Sequence, residues 1–144
     1  MDDLPGRRYS IAGALDVDGD RWALLVVREV SLGNSRFSDI LRGTGAPRER
    51  LSARLAALVE AGVLERRQYS DAPPRSGYQL TAAGRDLVPV LQALLQWGDR
   101  WVADRPPVEL HHHGHRVDAA WVCRTCGEST TGSDVTRVLT SEAG

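Results

Sequence analysis

From residue 10 to residue 30, apolar side chains recur at helical spacing. Ile11, Ala14 and Leu15 share one face, and Trp22, Leu25, Val26 and Val30 continue an apolar stripe beyond the string Asp16-Val17-Asp18-Gly19-Asp20. That acidic string predicts two helices meeting at a turn rather than one long helix. Gly33-Asn34-Ser35 breaks the pattern, after which Phe37, Ile40 and Leu41 put an apolar face on a short helix ended by Gly43 and Gly45. Pro47 is expected to open the next helix at a first-turn position, where its missing N–H costs nothing. Leu51, Leu55, Leu58 and Val59 mark that helix's core side, and Gly62 stops it. From Val63-Leu64 to Tyr69 the residues alternate; Asp71-Ala72-Pro73-Pro74-Arg75-Ser76-Gly77 turns the chain and Tyr78-Gln79-Leu80 returns it. Thr81 then caps a long helix from about Ala82 to Ala103, striped by Leu87, Val90, Leu91, Leu94, Leu95, Trp101 and Val102, with Trp97 at its side.

A short helix, a turn, a second helix and a proline-tipped ribbon, taken in that order, are the plan of a winged helix-turn-helix. The expected fold class is mainly α with a small β-wing (α+β) and a long dimerisation helix. A chain of 144 residues with 42% hydrophobic content can bury one core and carry appendages. It divides into an N-terminal arm (1–8), the winged domain (9–105) and a His/Cys tail (106–144). No apolar run approaches the roughly 20 residues of a membrane span, and Met1-Asp2-Asp3 is unlike the basic head of a signal peptide. A cytoplasmic protein with no membrane partner is therefore expected.

The formal charge of -1 changes meaning once it is mapped along the chain. Residues 36 to 75 hold eight arginines against five acids, a local net of +3, so the remainder carries -4. Basicity is concentrated in the expected reading head. All 18 basic residues are Arg, which favours bidentate contacts to phosphate and guanine, although a lysine-poor genome gives the same bias. On the helix over 47–61 the side opposite the leucines carries Glu49, Arg50, Ala53, Ala56, Ala57 and Glu60, with Arg54 on its flank. Small residues with a few long basic ones let a helix lie close in a groove and still reach base edges; an ordinary solvated face has the same look. Arg67 and Arg75 are placed to meet phosphate or the minor groove from the wing, against the alternative of arginines that serve only solvation. The Asp16 to Asp20 string suggests a calcium loop only in part, because the twelfth position from Asp16, where a bidentate Glu is needed, is Val27. A helix cap is the better reading.

The chain resembles the HxlR-type winged-helix regulators, relatives of the MarR-like repressors. The matching residues are Ile11-Ala12, Ala14-Leu15-Asp16, Gly19-Asp20-Arg21-Trp22, Leu24-Leu25, Gly33, Arg36-Phe37-Ser38-Asp39 and Leu51-Ser52-x-Arg54-Leu55. They continue with Leu58-Val59-Glu60-Ala61-Gly62-Val63-Leu64, Pro73-Pro74-Arg75, Tyr78-Gln79-Leu80-Thr81-x-Ala83-Gly84 and Trp97-Gly98-Asp99-x-Trp101. The resemblance implies a homodimeric bacterial transcription factor on an inverted repeat of double-stranded DNA, with helix 47–61 in the major groove and wing 64–80 alongside. Carried over by position, Arg36 and Ser38 would contact the DNA backbone and Arg48, Arg50, Ser52 and Arg54 would belong to the reading helix. Arg50 is assigned the base contact, and the others mainly phosphates. Many members carry a cysteine two residues before the Ile-Ala pair; this chain has Tyr9 there, which excludes thiol sensing at the N-terminus.

Beyond Pro106-Pro107 the sequence holds His111-His112-His113-Gly114-His115 and Cys123-Arg124-Thr125-Cys126-Gly127. CxxC followed by Gly is half of a zinc knuckle. Some HxlR-like proteins end in a small ribbon with Cys-Gly-His ahead of CxxCG, and His113-Gly114-His115 stands at that place. His113, His115, Cys123 and Cys126 are the candidate zinc ligands, with His111 and His112 as alternates. The competing readings are a metal-free decayed ribbon, a flexible end resembling an expression tag, and a reversible Cys123-Cys126 disulfide. Residues 128–144 read as polar and frayed.

The leading expectation is a sequence-specific DNA-binding transcriptional regulator; the alternative is a protein-interaction module on a winged-helix scaffold that has lost DNA binding. No Ser-His-Asp order, phosphate loop or paired catalytic carboxylates points to an enzyme. A small-molecule effector, unidentified, would find its pocket near Trp22, Trp97 and Trp101, residues that equally suit core or dimer interface.

Overall fold

The computed structural model describes residues 10–18, 20–71 and 74–138. The N-terminal arm (1–8), Tyr9, Gly19 and the wing tip at Ala72-Pro73 lie outside them. Four helices come first: α1 (Ser10–Asp18), α2 (Arg21–Ser31), α3 (Phe37–Thr44) and α4 (Arg48–Glu60). The strands β1 (Leu64–Asp71) and β2 (Pro74–Leu80) follow, then α5 (Ala82–Asp86) and α6 (Val88–Trp101). Four two-residue strands close the order: β3 (His111–His112), β4 (His115–Arg116), β5 (Trp121–Val122) and β6 (Ser129–Thr130). The chain forms two compact units, Met1–Leu94 and Leu95–Gly144.

The core of the first unit is where the apolar stripes of three helices meet the foot of the ribbon. Ala23, Val26, Val27 and Val30 of α2 pack with Ile40 of α3, Leu51, Leu55 and Leu58 of α4, and Val63, Leu64 and Tyr78. Val27, the position a calcium loop would need as a carboxylate, is fully buried here. Asp20 is the N-cap of α2, its side chain accepting from Trp22 N–H at 2.8 Å. Gly45 (φ +69) and Gly62 (φ +80) end α3 and α4 in the left-handed region that L side chains avoid.

β1 and β2 pair antiparallel from Leu64↔Leu80 to Asp71↔Pro74, with a register shift between Gln68 and Ser70 that leaves Tyr69 as the extra residue. Tyr78 N–H donates to the Ser35 carbonyl at 2.8 Å, pinning β2 to the loop between α2 and α3.

Four expectations are corrected. The helix expected over 82–103 is two, because Pro89 has no N–H for the Arg85 carbonyl and its ring crowds the preceding turn; α5 ends at Asp86 and α6 begins at Val88. Pro74, Arg75, Ser76 and Gly77, expected in the wing turn, are all paired in β2. Pro47 stands at the N-cap of α4 with extended ψ (140°), one place before the first turn, and its carbonyl accepts from Leu51 N–H at 3.0 Å. Residues 129–130 are not frayed but form β6, paired with β5.

Thr81 caps α5, accepting from Gly84 N–H at 3.2 Å while its hydroxyl reaches the Val63 carbonyl at 3.0 Å. A Cβ on Gly84 would lie 2.3 Å from that same carbonyl. Because the obstacle is backbone, Gly84→Ala should destabilise the fold by about 1–3 kcal/mol, read as a lowered thermal midpoint. Wild-type stability of the variant would show that this approach is not needed.

Candidate nucleic-acid interface

The helix-turn-helix offers bare helix N-termini on the arginine-bearing side. The first N–H groups of any helix lack intrahelical acceptors, and the helix dipole makes that end attractive to anions. Two helix ends outside the motif are capped: Asp20 serves α2 and Thr81 serves α5. Within it they are not, because the N-cap positions of α3 and α4 are Arg36 and Pro47, which make no side-chain cap. Two helix ends with free donors and cationic neighbours form a phosphate-binding arrangement.

Each predicted DNA-contacting residue can now be placed. Arg48 and Arg50 are exposed in the first turn of α4, Ser52 is exposed one position further along, and Arg54 is half-buried on the flank. Arg48 lies over the Phe37 ring at 5.3 Å, whereas Arg50 and Arg54 have no ion-pair partner among the described residues. Ala53 and Ala56 keep the exposed face shallow. Ser38 is exposed in the first turn of α3. Arg36 stacks over Tyr69, 5.1 Å from the ring centroid, so the start of α3 and the bulge of the wing are joined by a cation–π contact. Arg67 is engaged by Glu65 at 2.8 Å, two residues earlier on the same strand face. Arg75 is exposed beside Ser70 near the end of the hairpin.

Sequence reasoning missed Tyr69 and Arg66. Tyr69 matters because the bulge re-aims it toward Arg36, and nothing in a period-two pattern announces a bulge. Arg66 faces Tyr78 across the ribbon, donating to its hydroxyl at 3.2 Å. With Phe37, Ser52, Ala56, Val59 and Glu60, these two residues line a groove of about 410 Å³ between α4 and the wing.

The tail of the second unit is two hairpins. His112↔His115 pairing leaves His113 (φ +51) and Gly114 (φ +81) as a two-residue turn with both φ positive, the type I′ form. His112 and His113 stack with ring centroids 3.8 Å apart, and His112 meets His115 edge-on at 6.0 Å. A hydrogen bond with His111 and then the charge of Arg116 hold the Glu109 carboxyl below the usual carboxylate range. Cys123 and Cys126 occupy the turn between β5 and β6. The Cys123 thiol is held below its ordinary range by the backbone N–H of Cys126, then that of Thr125, then the Cys126 side chain. Among the described residues no three His, Cys, Asp or Glu side chains are grouped to hold a metal. Of the candidate zinc ligands, His113 and His115 lie on the β3–β4 hairpin and Cys123 and Cys126 on the β5–β6 hairpin.

A compact three-helix core, a helix with a basic first turn, and a ribbon docked against the motif define a winged-helix DNA-binding protein. The chain belongs to the HxlR-like helix-turn-helix family, whose model matches residues 17–106. The uncharacterized HTH-type transcriptional regulator Rv3095 of Mycobacterium tuberculosis is 44% identical over 131 residues, covering 88% of this chain and 83% of its own length. A second such regulator, sll1512 of Synechocystis, is 36% identical over 98 residues, 67% of this chain and 73% of its own. Among solved structures, the proposed transcription factor PA1607 superposes with a TM-score of 0.82 at 33% identity, covering 93% of this chain and 96% of its own. PA1374 from Pseudomonas aeruginosa gives 0.64 at 34% identity, covering 93% of each chain. The second unit holds 50 of the 144 residues, so 93% coverage must include most of the tail, which is shared architecture and not a tag. The protein is a DNA-binding transcriptional regulator and not an enzyme. Among the described residues no helix is long and apolar enough to cross a membrane.

The bare N-terminus of α4 yields a test that separates stability from binding. Pro47→Asp would supply the missing cap, worth about 1 kcal/mol, while placing a carboxylate where phosphate should sit. Thermal stability should stay level or rise and duplex affinity should fall roughly tenfold or more, about 1.4 kcal/mol. Unchanged affinity in a binding titration would remove this helix end from the interface.

Proposed function

We propose that this regulator acts as a homodimer on an inverted repeat, with α4 in the major groove and the wing over 64–80 against the flanking backbone. One observation carries the reading: Arg50 projects from the uncapped first turn of α4, exposed and without an ion-pair partner among the described residues. A guanidinium there is free to fork onto a guanine edge. Arg36, Ser38, Arg48, Ser52, Arg54 and Arg75 then serve phosphates, fixing register without reading sequence. Arg67 contributes less than its charge suggests, because Glu65 already holds it.

Dimerisation is supported by α6, which has no buried residue. Leu87 and Leu91 pack against the core, but Val90, Leu94, Trp97 and Trp101 stay exposed at helical spacing, the two tryptophans by 60% and 65%. Exposed Ile11 and Leu15 on α1 add a second apolar surface. A contiguous apolar face of this kind marks an interaction site, and a two-fold arrangement would set two reading helices about 34 Å apart on one side of the duplex.

Selection of bound sequences from random duplexes should enrich an inverted repeat. Arg50→Ala should blur that preference and cost about 1–3 kcal/mol at one base position, whereas Arg75→Ala should weaken all duplexes alike and lower the salt slope by about one. The same loss of preference in both variants would overturn the division of roles. Separately, Trp97→Glu should shift sedimentation from dimer to monomer with helical content retained; a persistent dimer would place the self-association surface elsewhere.

A further inference from the structure

Three arginines of the reading head are held by aromatic rings, and each contact joins two elements. Arg36 at the start of α3 lies over Tyr69 of β1 at 5.1 Å, Arg48 of α4 over Phe37 of α3 at 5.3 Å, and Arg66 of β1 over Tyr78 of β2 at 5.5 Å. None of the three pairs with an acid among the described residues, whereas Arg28, Arg42 and Arg67 give N–H groups to Glu29, Asp39 and Glu65. The difference decides what is left for a ligand. A carboxylate takes the in-plane N–H donors of a guanidinium; a ring face attracts the cation and leaves those donors for another acceptor. Arg66 also gives one N–H to its own seat, the Tyr78 hydroxyl at 3.2 Å. Arg21 over Trp22 and Arg100 over Trp101 differ from these three, since they join sequence neighbours and tie no elements together.

We propose that Arg36, Arg48 and Arg66 form one phosphate clamp, with Arg66 a DNA contact in its own right and Tyr69 the positioning residue that presents Arg36. The clamp rests on the reading above in which α4 and the wing face the duplex. Its parts share one side of the motif: Phe37 follows Arg36 in sequence and lines, with Arg66 and Tyr78, the groove between α4 and the wing. Arg66 shares a strand face with buried Leu64, two residues earlier, so it stands on the side of the ribbon that meets the α4 leucines, while Glu65 and Arg67 lie on the other. Glu60 lines the same groove and forms no ion pair with Arg66. Tyr69 is carried over Arg36 by the bulge between Gln68 and Ser70, and the bond from Tyr78 N–H to the Ser35 carbonyl fixes the ribbon beside it. Phosphate is the acceptor that suits such a set, because cations with open donors on α3, α4 and β1 match a backbone of regularly spaced anions. Seating each long side chain beforehand reduces the rotamer freedom lost on contact.

The test is a binding titration of the full chain against a random-sequence duplex pool over a series of salt concentrations, with thermal midpoints measured alongside. Tyr69 is 48% exposed and Arg66 is exposed, so substitutions at both are expected to fold. Arg66→Ala should lower the salt slope by about one at an unchanged midpoint, as loss of a phosphate contact does. Tyr69→Leu should weaken binding about two- to fivefold with the slope retained, because the Arg36 charge is still present but unseated. Tyr69→Phe, which keeps the ring face, should bind like wild type. In an Arg36→Ala background, Tyr69→Leu should have no further effect. Arg66→Ala with the wild-type slope, Tyr69→Phe as weak as Tyr69→Leu, or additive losses from Arg36→Ala and Tyr69→Leu would overturn the clamp. Those results leave the reading of α4 standing, since Arg50→Ala tests it by sequence preference; wild-type binding that does not change with salt would overturn both.

Discussion

The geometry of the reading head rests on one buried carboxylate. Glu29 is 5% exposed at the end of α2, and the Asn34 amide donates to one oxygen at 3.0 Å while Arg28 Nε donates to the other at 2.9 Å. Arg28 also reaches the Gly43 carbonyl in the last turn of α3 at 2.9 Å, supplying a donor to a helix end that otherwise lacks one. The same acid thereby fixes the loop after α2 and, through Arg28, the end of α3. Desolvating a carboxylate is unfavourable unless its oxygens are satisfied, and here both are, while the Arg28 side chain stays 42% exposed and keeps part of its hydration. Position 43 has to be glycine for this to close, since a Cβ there would stand 1.8 Å from Glu29 Oε1. What is gained is a specified angle between α2 and α3, and α4 takes its direction from that pair because Ile40 and the α4 leucines share a core with α2.

Stability and binding are distributed along the chain accordingly. Asp20 caps α2 and Thr81 caps α5 beside the Gly84 approach, whereas α3 and α4 of the helix-turn-helix have no side-chain cap. The wing is held from its inner side: the Ser35 carbonyl takes Tyr78 N–H, and a side chain at Gly77 would press on Ser35 at 3.1–3.2 Å. With Arg36 stacked on Tyr69, the ribbon follows the start of α3 and is not a free flap. A regulator needs wing and reading helix in fixed relation, because both must meet one rigid duplex.

Much of this was legible because burying one face leaves a periodic trace. The stripes of α2 and α4, the stops at Gly45 and Gly62, and the caps at Asp20 and Thr81 are local signals with local causes, and they are where the sequence placed them. The misses are contacts across space or backbone effects hidden under a good pattern. The stripe from Leu87 to Val102 masked the break that Pro89 imposes. Glu29 was passed over, although it lies three residues from Val26 on the buried side of α2, a position at which an acid is itself a signal. Gly77 read as a turn residue, yet its role is close approach to Ser35. Arg67, expected to meet phosphate or the minor groove, is also paired with Glu65, a contact set by strand geometry rather than by charge count. In the tail, two-residue strands leave no period to detect, and glycines at positive φ (Gly114, Gly127 and Gly132) stand in the turns.

The tail also shows why donor spacing alone does not make a metal site. A zinc knuckle needs two turns that present ligands toward each other, and here the two turns have different chemistry. At His113 and Gly114 the backbone is a type I′ hairpin whose imidazoles stack with one another, 3.8 Å between His112 and His113, an arrangement that satisfies the rings without a shared ion. At Cys123 the backbone N–H groups of Cys126 and then Thr125 hold the thiol below its ordinary range. Since the relatives' alignments extend across this region, the knuckle is a shared shape whose chemistry depends on what fills it. In this chain that turn holds two sulfurs, Cys123 partly buried and Cys126 exposed.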